Sequence, residues 1–177
     1  MTSVIILALI TFLVPPQHQK KRETIVEAKA RYAVIAKAIS AEAGADKTLA
    51  LFLLSVARHE SAFRRDIHTG TRRGDGGRSW GLFQIMCGPT TRSPVPMPFS
   101  RGTIYRAGQI VGVDYASTRR AAHASAIWLR RHIRRCNGKA MCVFKSYAGT
   151  SLTHTPTMRK KLAARVKTYR ALVQRIK

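Results

Sequence analysis

The sequence predicts a mainly α-helical domain with few or no strands, closed by a basic amphipathic C-terminal helix. Three observations carry that expectation. Apolar residues recur at three- and four-residue spacing along several long stretches. Asp46, Asp114 and Thr155-Pro156 stand where helices should open, and Gly44, Asn137-Gly138 and Gly149 stand where they should stop. Runs that alternate apolar and polar residues are scarce, and no internal repeat is visible.

Met1 to Val14 is an apolar opening, Val4-Ile5-Ile6-Leu7-Ala8-Leu9-Ile10 at its centre, ended by Pro15-Pro16. It is short for a bilayer span and suits the core of a signal or anchoring segment better. Against that stand the lack of a preceding Lys or Arg and of a small-x-small cleavage site, and Lys20-Lys21-Arg22 lies on the wrong side of the run. The expected organisation is a signal- or anchor-like segment at 1–16 and an N-terminal helix within 17–44. A main domain over 45–152 and a basic helix over 153–177 follow.

Residues 22–43 read as a helix on the stripe Ile25, Val26, Ala28, Tyr32, Ala33, Ile35, Ala36 and Ile39. Asp46 then caps a helix that is apolar nearly all round, from Leu49 through Phe52, Leu53 and Val56 to Glu60. Residues 64–77 are polar and glycine-rich, a loop, and Pro89, Pro94, Pro96 and Pro98 make the next stretch extended or irregular. A third long helix runs from Tyr115 to about Arg135, and a shorter one from Ala140 to Tyr147. The last carries the stripe Met158, Leu162, Val166, Tyr169, Val173 and Ile176, with Arg159, Lys160, Arg165, Lys167, Arg170 and Arg175 assigned to its polar coat.

The charge balance is extreme: 32 Lys and Arg against 8 Asp and Glu, a net +24. Such a surface meets polyanions, whether nucleic acid, anionic lipid or acidic wall polymers. Few acids also means few candidates for carboxylate chemistry. Glu60 stands out because Leu53, Val56 and Ala57 precede it by seven, four and three positions and so share its face. A carboxylate on a core-facing stripe at a helix carboxyl end is pushed toward its protonated form, as a general acid requires. The plain alternative is a helix-terminal glutamate in solvent or paired with Arg64.

Glu60-Ser61, then Gly81-Leu82-Phe83-Gln84-Ile85, then Tyr147-Ala148-Gly149 resemble, in order, the three signature blocks of soluble lytic transglycosylases, in the goose-type lysozyme-like superfamily. The resemblance covers about residues 46–151 and implies a lysozyme-like α(+β) domain. It departs where the family's usual Tyr-Asn reads Tyr147-Ala148, and where a basic, insertion-like Arg72-Arg73-Gly74-Asp75-Gly76-Gly77-Arg78 precedes the second block. It implies that Glu60 is the acid/base that cleaves the β-1,4 bond between N-acetylmuramic acid and N-acetylglucosamine, leaving 1,6-anhydro ends. Glycoside hydrolysis ordinarily uses two carboxylates, whereas this chain offers one well-placed acid, as the transglycosylase scheme needs.

Substrate contacts expected in that scheme are Ser61, Trp80, Gly81, Phe83, Gln84 and Tyr147; the reading of Ser61 from its position is that it supports the helix end beside Glu60, with capping as the plain alternative. Gly81 permits close backbone approach, and Gln84 suits hydroxyl and acetamido groups. Trp80 and Phe83 offer flat faces or plain core packing. Tyr147 by resemblance points its hydroxyl at the catalytic carboxyl. Asp75 sits where goose-type lysozymes carry a water-positioning aspartate, which would make the enzyme a hydrolase; a turn-forming aspartate among glycines is the other reading.

Cys136 and Cys142 bracket a turn and are able to close a small disulfide loop, or to stay reduced. No cysteine falls in a metal-type spacing, and His59-Glu60 fails as a zinc helix because residue 63 is Phe. No cofactor and no metal are expected. The expected partners of a monomer are peptidoglycan strands and, through the basic face, anionic polymers or a membrane surface, without specific nucleic-acid binding. That places it in the cell envelope, outside the cell or in a phage particle. The competing reading is a non-catalytic cationic protein whose last helix binds nucleic acid or an anionic membrane. An inert lysozyme-like scaffold would hold Glu60 in a salt bridge to Arg64 or Arg78.

Overall fold

A computed structural model describes residues 1–19, 23–96, 103–147 and 155–176. Among them are seven α-helices and two small two-stranded antiparallel sheets, so the chain is mainly helical. Lys20, Lys21, Arg22, Pro98, Ala148 and Gly149, named above, lie outside the described residues.

The apolar opening is a helix, α1 (Ser3–Leu13), whose Ile6, Leu9 and Ile10 are buried. It packs against α2 (Ile25–Ala43) and α3 (Lys47–Ser61). No helix among the described residues is long and apolar enough to cross a membrane. Thr24 starts α2 with a reciprocal cap, its hydroxyl accepting from the Glu27 amide while Glu27 accepts from the Thr24 amide. Asp46 caps α3 by accepting from the Leu49 amide at 2.9 Å.

α3 is the axis of the molecule. Every residue from Leu49 to Ala57 is buried, because α1, α2, α5 (Tyr115–Arg135) and α7 (Pro156–Arg175) all pack against it. Asp114 caps α5 and Thr155 caps α7, with Pro156 in the first turn. A disulfide between Cys136 and Cys142 ties the end of α5 to α6 (Ala140–Tyr147). Phe52 of α3 stacks on Tyr169 of α7 at 4.3 Å and meets Phe144 of α6 edge-on at 5.2 Å. One hydrophobic core therefore runs from Ile6 to Leu172.

The polar loop is more structured than its composition suggests. It holds a single helical turn, α4 (Arg65–His68), and a 3-10 turn at Asp75–Gly77. Strand β1 (Ser79–Trp80) pairs with β2 (Ile85–Met86), so Gly81-Leu82-Phe83-Gln84 is the turn of a β-hairpin. Strand β3 (Pro94–Pro96) pairs with β4 (Thr103–Arg106) through an irregular register.

One expectation is overturned in α7. Arg165 was assigned to the polar coat, but it is only 8 % exposed. The reason is geometric: Leu162, Arg165, Tyr169 and Leu172 step by three, four and three, so Arg165 falls on the same inward stripe as Leu162 and Leu172.

Candidate functional site

Glu60 sits in the last turn of α3, and the backbone around it is held against its own preference. The helix ends on two non-glycine residues in the left-handed region, Ala62 at φ 49° and Phe63 at φ 53°. Such residues cost about 1 kcal/mol or more each unless neighbours fix them. Here three contacts do so. Ser61 donates its hydroxyl to the Ala57 carbonyl at 2.8 Å and accepts from the Phe63 amide at 3.1 Å. Gln19 donates to the Ala62 carbonyl at 3.2 Å. The buried Phe63 ring meets Tyr32 edge-on at 5.9 Å. Ser61 is thus a helix-end brace, and it is 2 % exposed.

The Glu60 side chain is 19 % exposed, and its Oε1 lies 2.7 Å from Nη2 of Arg165, itself 9 % exposed. Burial pushes the Glu60 carboxyl above the usual carboxylate range. Arg165 opposes that rise, the negative charge of Asp75 adds to it, and Lys161 weakly opposes it. Neither arginine expected as a possible partner reaches Glu60. Arg64 pairs with Asp66, and Arg78 donates to the Asp75 carbonyl at 3.2 Å. The cation comes from α7.

Asp75 forms the turn that its glycine neighbours suggest. At φ 49° it shapes the turn, and its carboxylate accepts from Ser79 at 2.6 Å while remaining close enough to act on Glu60. His59 hydrogen-bonds Thr168 of α7 at 2.8 Å, and burial, with Arg165 and Arg58, lowers its pKa to about 4. It is neutral near pH 7.

The hairpin block is mostly scaffold. Phe83 is fully buried, and Trp80 is 4 % exposed, donates to the Gly88 carbonyl at 2.6 Å and carries the Arg73 guanidinium 4.6 Å from its ring. Gly81 has φ 68°, and a β-carbon there would come 2.7 Å from the Ile110 carbonyl, so the close approach it permits is to protein backbone. Gln84 keeps its amide within the hairpin, donating to the Gly81 carbonyl at 3.1 Å, and a β-carbon on Gly74 would meet its Oε1 at 2.3 Å. The Tyr147 hydroxyl lies 3.0 Å from the Ser125 hydroxyl of α5 and donates to the Phe83 carbonyl at 3.4 Å. Burial raises its pKa, and the Glu60 charge adds to the rise.

The structure therefore brings Glu60, Asp75 and Tyr147 into one electrostatic neighbourhood, with Ser61 and Phe83 as its supports. Sequence reasoning missed Arg165, Lys161 and Ser125. The signal for Arg165 was present, an arginine on an apolar stripe in a chain with few acids to pair it.

One hollow on the described surface runs along α6 and α7 beside Met141, Val166 and Arg170, and another lies beside Arg65, Asp66 and Thr71. Glu60 lines neither. Among the described residues no three His, Cys, Asp or Glu side chains gather to hold a metal ion. Cys87 carries a free thiol whose pKa burial pushes up to about 12, which makes it a poor nucleophile. Comparison with family models, curated proteins and solved structures finds no match to this chain.

Proposed function

We propose that the protein is a peptidoglycan-cleaving lytic transglycosylase in which Glu60 serves as acid and then as base. The observation that carries this reading is a carboxyl at the end of the most buried helix, partly open to solvent, whose proton affinity burial raises. In the acid form Glu60 gives its proton to the glycosidic oxygen as the bond from the muramyl C1 breaks. The resulting carboxylate takes the proton of the same sugar's C6 hydroxyl as that oxygen closes on C1. The products are a free 4-hydroxyl and a 1,6-anhydro end, and the carboxyl regains its proton. The order of the three sequence blocks supports the same reading.

Asp75 favours a second outcome at the same bond. Its charge raises the proton affinity of Glu60, and a second carboxylate that acts on the first is what a water-positioning role would call for. The enzyme would then be a goose-type muramidase. Mass spectrometry of released muropeptides separates the two: anhydro ends mark a transglycosylase and reducing ends a hydrolase.

The net charge of +24 suits an anionic wall, and the Cys136–Cys142 bridge suits an oxidising compartment. Both support action in the cell envelope, outside the cell or in a phage particle. The deciding experiment is turbidity clearing of purified peptidoglycan by the wild type and by Glu60→Gln. Clearing is expected to fall at least 100-fold, with retention on the wall unchanged. Equal clearing by the variant would leave a cationic binding protein, and Arg165 would then be the partner that makes Glu60 inert.

A further inference from the structure

Arg165 enters the site with half of its guanidinium in use. Its Nη2 is on Glu60 at 2.7 Å, while Nη1 is buried and has no hydrogen-bond partner among the described residues. A guanidinium beside a carboxylate normally engages it with two parallel N–H donors, and a buried donor without an acceptor is rare in a finished fold. Nothing about the apolar face requires an arginine, since its stripe neighbours are Leu162, Tyr169 and Leu172. A leucine there would fill the core without a charge to hold. The idle donor belongs to the guanidinium that holds the partly exposed Glu60 carboxyl, and a small shift of that guanidinium toward the opening would present it to a ligand oxygen.

We infer, resting on the reading just given, that Arg165 is the positioning residue of this site: in the empty protein it favours the ionised form of Glu60 against burial, and it releases the carboxyl to the acid form when an acyl carbonyl oxygen of an N-acetylated sugar takes the guanidinium. The exchange balances. The carbonyl gains the Nη–H donors, Glu60 loses its counter-cation, and a proton from solvent takes that place on the carboxyl. The sugar also covers the remaining exposed part of the carboxyl, which favours the neutral form further. The groups facing Glu60 are Arg165 and Lys161 from α7, Asp75 from the 3-10 turn and Tyr147 from α6. Its own helix adds Arg58 and His59, and His59 stays neutral above about pH 4. Arg165 is the cation in direct contact, so its displacement has the largest effect on the proton. The site would thus arm its acid only when an N-acylated glycan is in place.

The test reads the proton and not the reaction alone. Carboxyl-labelled glutamate allows the Glu60 carbon to be titrated by NMR and identified by its loss in Glu60→Gln. The probe is the uncharged N-acetylglucosamine tetramer, with the cellulose tetramer, which lacks acyl groups, as control. In the wild type the acetylated tetramer is expected to raise the Glu60 midpoint by at least one pH unit, and the cellulose tetramer is not. Arg165→Gln is expected to raise the midpoint without ligand, to abolish the further rise, and to weaken tetramer binding about tenfold. Arg165→Lys keeps the charge without the fork. It is expected to leave the ligand-free midpoint near that of the wild type while still losing tetramer affinity, and it carries the test if Arg165→Gln does not fold. A midpoint indifferent to both the acetylated tetramer and the Arg165 substitutions overturns the inference. If that happens while Glu60→Gln still abolishes clearing, the inference alone is lost. If clearing survives Glu60→Gln, the enzymatic reading is lost with it.

Discussion

At Gly81 the backbone has φ 68°, and a β-carbon would lie 2.7 Å from the Ile110 carbonyl oxygen. Gly76 has nearly the same φ, 64°, but nothing within 4 Å of where its β-carbon would be. The pair separates conformational strain from collision. Gly76→Ala is expected to cost about 1 kcal/mol for the left-handed backbone alone. Gly81→Ala is expected to cost about 2–4 kcal/mol, since the Ile110 carbonyl is backbone and does not swing away. Urea denaturation of the two variants checks the difference, and equal losses would mean the hairpin relaxes around Ile110. At this scale the sequence was readable wherever a residue's surroundings were its own helix. Glu60 was picked out by Leu53, Val56 and Ala57 three to seven positions behind it. Of the braces that hold it Ser61 was readable, being next in the same helix, whereas Gln19 and Tyr32 were not, because they reach Ala62 and Phe63 from segments far back in the chain. Arg165 was misplaced for a related reason. Two stripes one residue apart fit α7, and only the position of α3 decides which of them faces inward.

Among the elements, the starts of α5 and α7 were legible to the residue, whereas α2, read from residue 22, opens at Ile25 behind the Thr24 cap. Asp114 fixes the start of α5 and Thr155 the start of α7 because each side chain satisfies an orphan amide of the helix it opens. The sheets were not legible, since β1 and β2 are two residues each and cannot show a period of two. The junction between α5 and α6 carries the clearest consequence at this scale. Asn137, at φ 47°, and Gly138, at φ 69°, turn the chain, and the Cys136–Cys142 bridge closes a loop with a sequence separation of 6. A loop that short removes little freedom from the unfolded chain, so the bridge should add about 2 kcal/mol to stability. Its larger effect is on placement, because α6 delivers Tyr147 to the Phe83 carbonyl and to Ser125. The Cys136→Ser, Cys142→Ser double variant is expected to lose about 2 kcal/mol in urea denaturation. It should also clear peptidoglycan more slowly than the wild type. Full activity at that stability loss would show that packing of Val143 and Phe144 alone seats α6.

For the molecule as a whole, 32 cationic residues and 8 acidic ones leave few carboxylates to govern the response to acid, and buried histidines take that part. His68 is fully buried; its Nε2 is 3.0 Å from the Thr118 hydroxyl and its Nδ1 has no partner among the described residues. Burial, with Arg31 adding to it, lowers its pKa to about 3, against 6.5 for an exposed histidine. His59 shifts the same way, to about 4, but is more exposed and weighs less. The sign follows from proton counting. Between pH 6.5 and about 3 the unfolded chain holds a proton at residue 68 that the folded chain does not, so stability falls as pH falls through that window. One such proton gives a slope of about 1.4 kcal/mol per pH unit. Urea titrations at a series of pH values are therefore expected to give a plateau above pH 7 and a steady decline below 6.5. His68→Gln, which keeps a donor for Thr118 and cannot charge, is expected to remove about one proton's worth of that slope. An unchanged slope would mean that His68 opens to water before it titrates, and that the acid response lies elsewhere in the chain.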